Sequence, residues 1–283
     1  MEAYKQLEQE YAKFTGSKYA VSCNSGTSAL HLALLAIGVG DGDEVIIPDF
    51  TMAACAFAVT YTGAKPVFVD CDDTLCIDWT LIERKITSKT KAIMPVHIYG
   101  RLCNMKEIVR IARKHKLKVI EDACEAQGAI KSSKADITCY SFYANKIIHA
   151  EEGGIITTDN KKYADTMHYL KSMAFGTKHD YFHKHIGFNY RMANSQAKLA
   201  LKSLKQYPHE AKRRRMIEAR LDKHFGDMPK RDAVWVYDTL KLIPNGYSTR
   251  PFFKPLSSFP MYGGKCQSPK ALYYSKKGNY IRL

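Results

Sequence analysis

Closely spaced cysteine pairs are missing from this 283-residue chain. The eight cysteines, at positions 23, 55, 71, 76, 103, 124, 139 and 266, lie scattered through apolar and strand-like segments without CxxC spacing. Neither a zinc site nor a disulfide framework is suggested, and they read as reduced core thiols. Long apolar runs are also absent, with no stretch of about 18 uncharged apolar residues to span a membrane. The opening MEAYKQLEQEYAKF is charged from its second residue and has no apolar core of a signal peptide. A soluble, cytoplasmic protein is therefore expected, with neither a metal nor a membrane partner. There are no internal repeats and no low-complexity tracts.

Acidic residues are few, 28 against 43 Lys and Arg, and the net charge of +15 calls for a polyanionic partner or substrate. The cations are spread along the chain, however. The densest run, Lys212-Arg213-Arg214-Arg215, falls in a helical pattern near Glu210 and Glu218 and reads as a solvated helix face. Nucleic acid is not the expected partner.

What the chain has in quantity is alternation. Short β-branched runs at 19–22, 44–47, 66–69, 92–96, 118–121, 138–142 and 154–158 alternate with helical patterns at 27–38, 51–62, 78–86, 104–116 and 160–171. This pattern predicts an α/β fold with a mostly parallel sheet covered on both faces, and such sheets place ligands beyond the carboxyl ends of their strands. From Gly187 the pattern changes to a long polar helix over roughly 193–225, then a Pro-, Gly- and aromatic-rich end. Residues 1–205 are read as a large domain, and 206–283 as a connecting helix with a small C-terminal domain.

Three motifs fall at strand ends. Asn24-Ser25-Gly26-Thr27-Ser28 opens an apolar helix, so backbone N–H groups and hydroxyls converge where an anion such as phosphate can sit. Glu121-Asp122 closes a strand whose last apolar residues hold a carboxylate at the sheet edge, where it can keep a pyridine nitrogen protonated. Ser141-Phe142-Tyr143-Ala144-Asn145-Lys146 puts a lysine among aromatic residues after the next strand, a setting for an amine nucleophile. Taken singly, these residues read first as a helix cap, a loop carboxylate and a solvated lysine.

Together they resemble something more specific. NSGTSALHLAL (24–34), GDGDEVIIPDFT (40–51), TGAKPVFVDCD (62–72), TKAIMPVHIYG (90–100), VIEDACEAQGA (119–129), SFYANK (141–146), EEGGIITT (151–158), GFNYRMANSQAKLAL (187–201) and TRPFFKPLSSFPMY (249–262) follow one another at the spacings of the DegT/DnrJ/EryC1/StrS family of sugar aminotransferases, which depend on pyridoxal 5′-phosphate (PLP). The resemblance implies an aspartate-aminotransferase-like (fold type I) architecture. It implies that Lys146 carries the cofactor covalently, that Asp122 pairs with its ring nitrogen and that Glu125 lies near its phenolic oxygen. Gly26, Thr27, Ser28 and Ser141 are the implied phosphate ligands, together with Asn189 from the partner subunit of an obligate homodimer with shared sites. The implied reaction moves an amino group from L-glutamate to a nucleotide-linked keto-sugar. The stretch 181–192 is most similar to the branch that aminates carbon 4 of GDP-4-keto-6-deoxymannose. His97 and Tyr99 are candidate substrate contacts, although structural roles are open to both, and Lys184, Arg191 and Arg250 are candidate anion contacts.

The chain departs from the family pattern in three places. Met52 stands where an aromatic residue usually stacks on the cofactor, the loop 131–136 is short, and the C-terminal domain is abbreviated. These departures sustain a second reading, a degenerate or regulatory paralogue that binds PLP or a partner without turnover. Sugar dehydration is a third reading, but relatives of that kind carry histidine where this chain has Lys146.

Overall fold

Strands apolar on both faces need cover on both sides, and helices provide it here. The computed structural model describes residues 2–176 and 181–283. Every expected strand forms: β1 (Tyr19–Cys23), β2 (Glu44–Pro48), β3 (Lys65–Val69), β4 (Thr90–Ile93), β5 (Lys118–Asp122), β6 (Ile137–Ser141) and β7 (Gly154–Thr158). They build one seven-stranded sheet in the order β1-β7-β6-β5-β4-β2-β3. The pairings β2–β3, β2–β4, β4–β5 and β5–β6 are parallel. β7 runs antiparallel to both neighbours, so it is the exception in a mostly parallel sheet. Because β7 reverses direction between them, β1 and β6 point the same way. The carboxyl ends of β1, β5 and β6 consequently share one edge.

The helices are α1 (Ala3–Thr15), α2 (Gly26–Ala36), α3 (Ala54–Tyr61), α4 (Met105–Lys114), α5 (Lys161–Lys171) and α6 (Asn194–Phe225). The sequence reading passed over α1, although Leu7, Tyr11 and Thr15 recur at helical spacing and are buried. It also expected a helix over 78–86, where the chain makes two short 3-10 turns, Trp79–Leu81 and Glu83–Lys85. Within that stretch Ile82 alone is buried, too little apolar surface to anchor an α-helical face. The boundary drawn at 205/206 falls within the continuous helix α6.

Beyond α6 lie β8 (Val236–Thr239), β9 (Thr249–Pro251), α7 (Pro269–Lys277) and β10 (Asn279–Arg282). They form a second, antiparallel sheet in the order β8-β10-β9, completed by the C-terminal strand in its middle. Carboxylates at the ends of large-sheet strands fasten this unit. Asp70 accepts the N–H groups of Lys270 and Ala271 at 3.0 and 2.9 Å, capping the first turn of α7 from outside it. Asp49 accepts both the N–H and the hydroxyl of Ser257, at 2.7 and 2.6 Å.

The strongest clamp is ionic. Asp238 of β8 is fully buried, meets Arg101 of the large unit at 2.8 Å and Arg231 at 2.7 Å, and Arg231 pairs in turn with Glu218 of α6 at 3.1 Å. Removing the carboxylate leaves two buried guanidiniums short of countercharge, the costly way to break such a cluster. Asp238→Ala is expected to lose about 3–5 kcal/mol of stability in urea unfolding. A loss within the range of an ordinary surface substitution would show that the cluster does not hold the two units together.

Candidate active site

The shared edge of β1, β5 and β6 carries the motifs. α2 starts there with Ser25 as its N-cap: the Ser25 hydroxyl accepts the N–H of Ser28 at 3.1 Å, and the Ser28 hydroxyl accepts the N–H of Ser25. This capping box uses Ser28, whose hydroxyl also donates to Asn24 Oδ1 at 2.7 Å. Helix geometry leaves the N–H groups of Gly26 and Thr27 without intrahelical acceptors at the positive end of the α2 dipole. A Cβ on Gly26 would lie 2.8 Å from Ser141 Cβ and 3.4 Å from Cys124 Sγ. Glycine therefore lets the helix start close against the Ser141 hydroxyl at the end of β6. Gly154 is confined similarly, since a Cβ there would lie 2.3 Å from the Ser25 carbonyl oxygen.

Asp122, the last residue of β5, is 5% exposed. Its Oδ1 accepts the N–H of Cys124 at 3.0 Å, and its Oδ2 accepts the Cys55 thiol at 3.2 Å. Cys55 reaches it from α3: burial, then the Asp122 charge, pushes the Cys55 thiol well up, so it remains a donor.

Lys146 is nearly buried, with Nζ 3.6 Å from the centroid of the Trp235 ring and 4.0 Å from Glu125 Oε1. Trp235 donates its indole N–H to the Asn145 carbonyl at 3.0 Å, which fixes the ring over the lysine. Glu125 Oε2 accepts the N–H of Tyr99 at 2.8 Å. Burial raises the Glu125 carboxyl from 4.5 to about 7, and the Lys146 ammonium and Tyr99 N–H offset only part of that cost. The separation of 4.0 Å is too long for a hydrogen bond, which explains the incomplete compensation.

Gly26, Ser141, Asp122, Glu125 and Lys146 thus converge on one edge of the sheet. A sequence profile describing the DegT/DnrJ/EryC1/StrS aminotransferase family matches residues 2–241. The chain belongs to that family. It is 40% identical to the GDP-perosamine synthase of Caulobacter vibrioides over 91% of this chain and 78% of that protein. With the GDP-perosamine synthase of Vibrio cholerae it shares 31% identity over 96% and 83%, respectively. The sugar aminotransferase Spr1654 of Streptococcus pneumoniae, described as putative, superimposes in its PLP form with a TM-score of 0.90 at 27% identity, covering 99% of this chain and 86% of that one.

The family's cofactor is PLP, and the residues at this edge fit it. The Gly26–Ser141 cradle and the open N–H groups of α2 suit a phosphate. The hydrogen-bonded carboxylate of Asp122 suits a protonated pyridine nitrogen, and the Lys146 amine lies within the same enclosure. The Ser28 side chain, expected as a phosphate ligand, is committed to the cap.

The expected substrate contacts divide. His97 is fully buried, with Nε2 3.0 Å from Glu121 Oε1 and Nδ1 accepting the N–H of Cys103 at 3.1 Å. Both ring nitrogens are used inside the fold, so this structure offers neither to a substrate. Tyr99 is likewise fully buried, stacked on Phe253 with ring centroids 5.3 Å apart, and its hydroxyl accepts the N–H of Phe253. Packing gives it a structural place as well. Lys184, Arg191 and Arg250 are exposed, and Arg191 donates to Asn189 Oδ1 at 3.2 Å. Asn189 lies beside its own subunit's Asn24, whose Nδ2 donates to the Asn189 carbonyl at 3.5 Å. Met52 is also exposed, just ahead of α3.

Sequence reasoning missed Trp235 and Cys55. Trp235 lies 89 positions beyond Lys146, and no local pattern connects them. In the sequence Cys55 reads as one more core thiol, and only its 3.2 Å contact with Asp122 distinguishes it.

Glu125 makes stability depend on pH. Its folded pKa is raised, so its contribution is full below pH 4.5 and is lost as pH rises through about 7. Cofactor-free protein is expected to lose up to roughly 3 kcal/mol from this group across that window, and Glu125→Gln to flatten the decline. Urea unfolding at a series of pH values checks this; parallel profiles for the two proteins would remove Glu125 as the cause.

Proposed function

We propose that the protein transfers the amino group of L-glutamate to a nucleotide-linked 4-keto-6-deoxy sugar, converting GDP-4-keto-6-deoxymannose to GDP-perosamine in a cytoplasmic homodimer. The observation that carries this reading is the enclosure of the Lys146 amine between Trp235 and Glu125, beside the anchored carboxylate of Asp122. The choice of sugar rests on the similarity to GDP-perosamine synthases over nine-tenths of the chain.

PLP supplies an electron sink that stabilises negative charge on the carbon losing its proton. The chain does the rest. Lys146 Nζ would hold the cofactor in the resting site and, when free, would take a proton from the donor's α-carbon and deliver it to the cofactor. Asp122 keeps the ring nitrogen protonated, and the Cys124 N–H and Cys55 thiol hold its two oxygens in place. Glu125 sits at the lysine with a proton affinity near neutrality, placed to accept or return a proton. Trp235 excludes water from one side of Nζ. The exposed Lys184, Arg191 and Arg250 supply positive charge for a diphosphate, and Asn189 serves the partner subunit's site.

The test has two stages. With PLP added, wild type is expected to show a band near ~410–430 nm that moves to ~330 nm with L-glutamate, and Lys146→Ala to show neither. The glutamate-treated protein is then expected to convert GDP-4-keto-6-deoxymannose to GDP-perosamine, read by chromatography. A PLP band that ignores glutamate would favour the regulatory paralogue, and turnover of a different keto-sugar nucleotide alone would overturn the GDP assignment.

A further inference from the structure

α6 carries an uncompensated line of charge. Its buried residues, among them Ala200, Ser203, Arg214, Glu218, Leu221 and Phe225, form one face that packs against α1 and the second sheet. Lys198, Lys202, Lys205, Lys212, Arg220 and Lys223 recur at spacings of three, four and seven or eight residues on the opposite face, and all six are exposed. The line extends about 38 Å along the helix axis.

The acids of α6 do not neutralise it. Glu210 is taken by Arg213 and Arg214, Glu218 by Arg215 and Arg231, and Asp222 accepts the Tyr237 hydroxyl. The Lys-Arg run that stands out in the sequence is thus largely paired. Among the described residues, none of the six outward cations has a carboxylate partner within ion-pair distance.

We propose that this face of α6 docks the protein on an anionic lipid surface. Five of the six cations are lysines, strongly hydrated point charges suited to a diffuse negative plane; arginine forks, suited to individual phosphates, are represented once. The line is displayed on a helix whose other side is packed, so it can meet an open surface but cannot enter a duplex groove. The line offers His209 as its one exposed ring and no Phe, Tyr or Trp, so successive single-stranded bases have no run of stacking platforms. Instead Met216, half exposed, lies within it and offers an apolar contact at the headgroup level. Six basic residues on one helix face match the number with which polybasic segments bind anionic bilayers.

The experiment is co-sedimentation of the PLP-loaded full chain with vesicles of equal parts phosphatidylglycerol and phosphatidylcholine, beside vesicles of phosphatidylcholine alone. One variant carries Lys→Gln at 198, 202, 205 and 212. A control variant carries the same change at Lys91, Lys106, Lys116 and Lys134, which are exposed elsewhere. Wild type and control are expected to sediment with the anionic vesicles only, and the α6 variant's partition coefficient to fall at least about tenfold. An equal loss in both variants would overturn the proposal, because total charge would then be the cause. Absence of vesicle binding would overturn it too, and retention on duplex DNA in that case would identify nucleic acid as the partner. Sedimentation does not depend on turnover, so failure here leaves the proposed reaction standing.

Discussion

The cations buried at the centre of this molecule are shared unevenly among its carboxylates. Glu125 lies within electrostatic reach of both Asp122 and Asp238, and the three carboxylates stand beside one amine and two guanidiniums. Asp238 takes both guanidiniums and becomes the joint between the two sheets. Asp122 is held by a backbone N–H and a thiol. Glu125 is left with one N–H and a distant ammonium, and its carboxyl rises to about 7. The charge arrangement that secures the fold therefore also leaves one group at the lysine able to change protonation near neutral pH.

The C-terminal unit contributes side chains to the site. β10 sits between β8 and β9, and the resulting sheet presents Trp235 over Lys146 and Tyr280 against Tyr99. The aromatic packing of Tyr99, Phe252, Phe253 and Trp235 covers this side of the site. His97 and Tyr99, candidate substrate contacts whose first reading is structural, are both used inside the fold, His97 by Glu121 and Cys103 and Tyr99 by the aromatic cluster. A hydrogen bond from the Tyr99 backbone to Glu125 links that cluster to the chemistry.

The sequence by itself determined the alternation of strands and helices, since burial on both faces demands continuous apolar strands and amphipathic cover. Ordered spacing likewise placed Gly26, Asp122, Ser141 and Lys146 at strand ends, where parallel topology brings them to one edge. Charge pairing was different. The run Lys212 to Arg215 is the densest basic stretch of the chain, yet its three arginines are paired with Glu210 and Glu218 a turn away on the same helix, while Lys212 and lysines scattered along α6 form the open line. The exposure of Met52, the enclosure of His97, and the contacts of Cys55 with Asp122 and of Trp235 with Lys146 were also decided only by the tertiary structure. These depend on which side chains meet across elements distant in sequence, and local propensity and periodicity carry no information about such meetings.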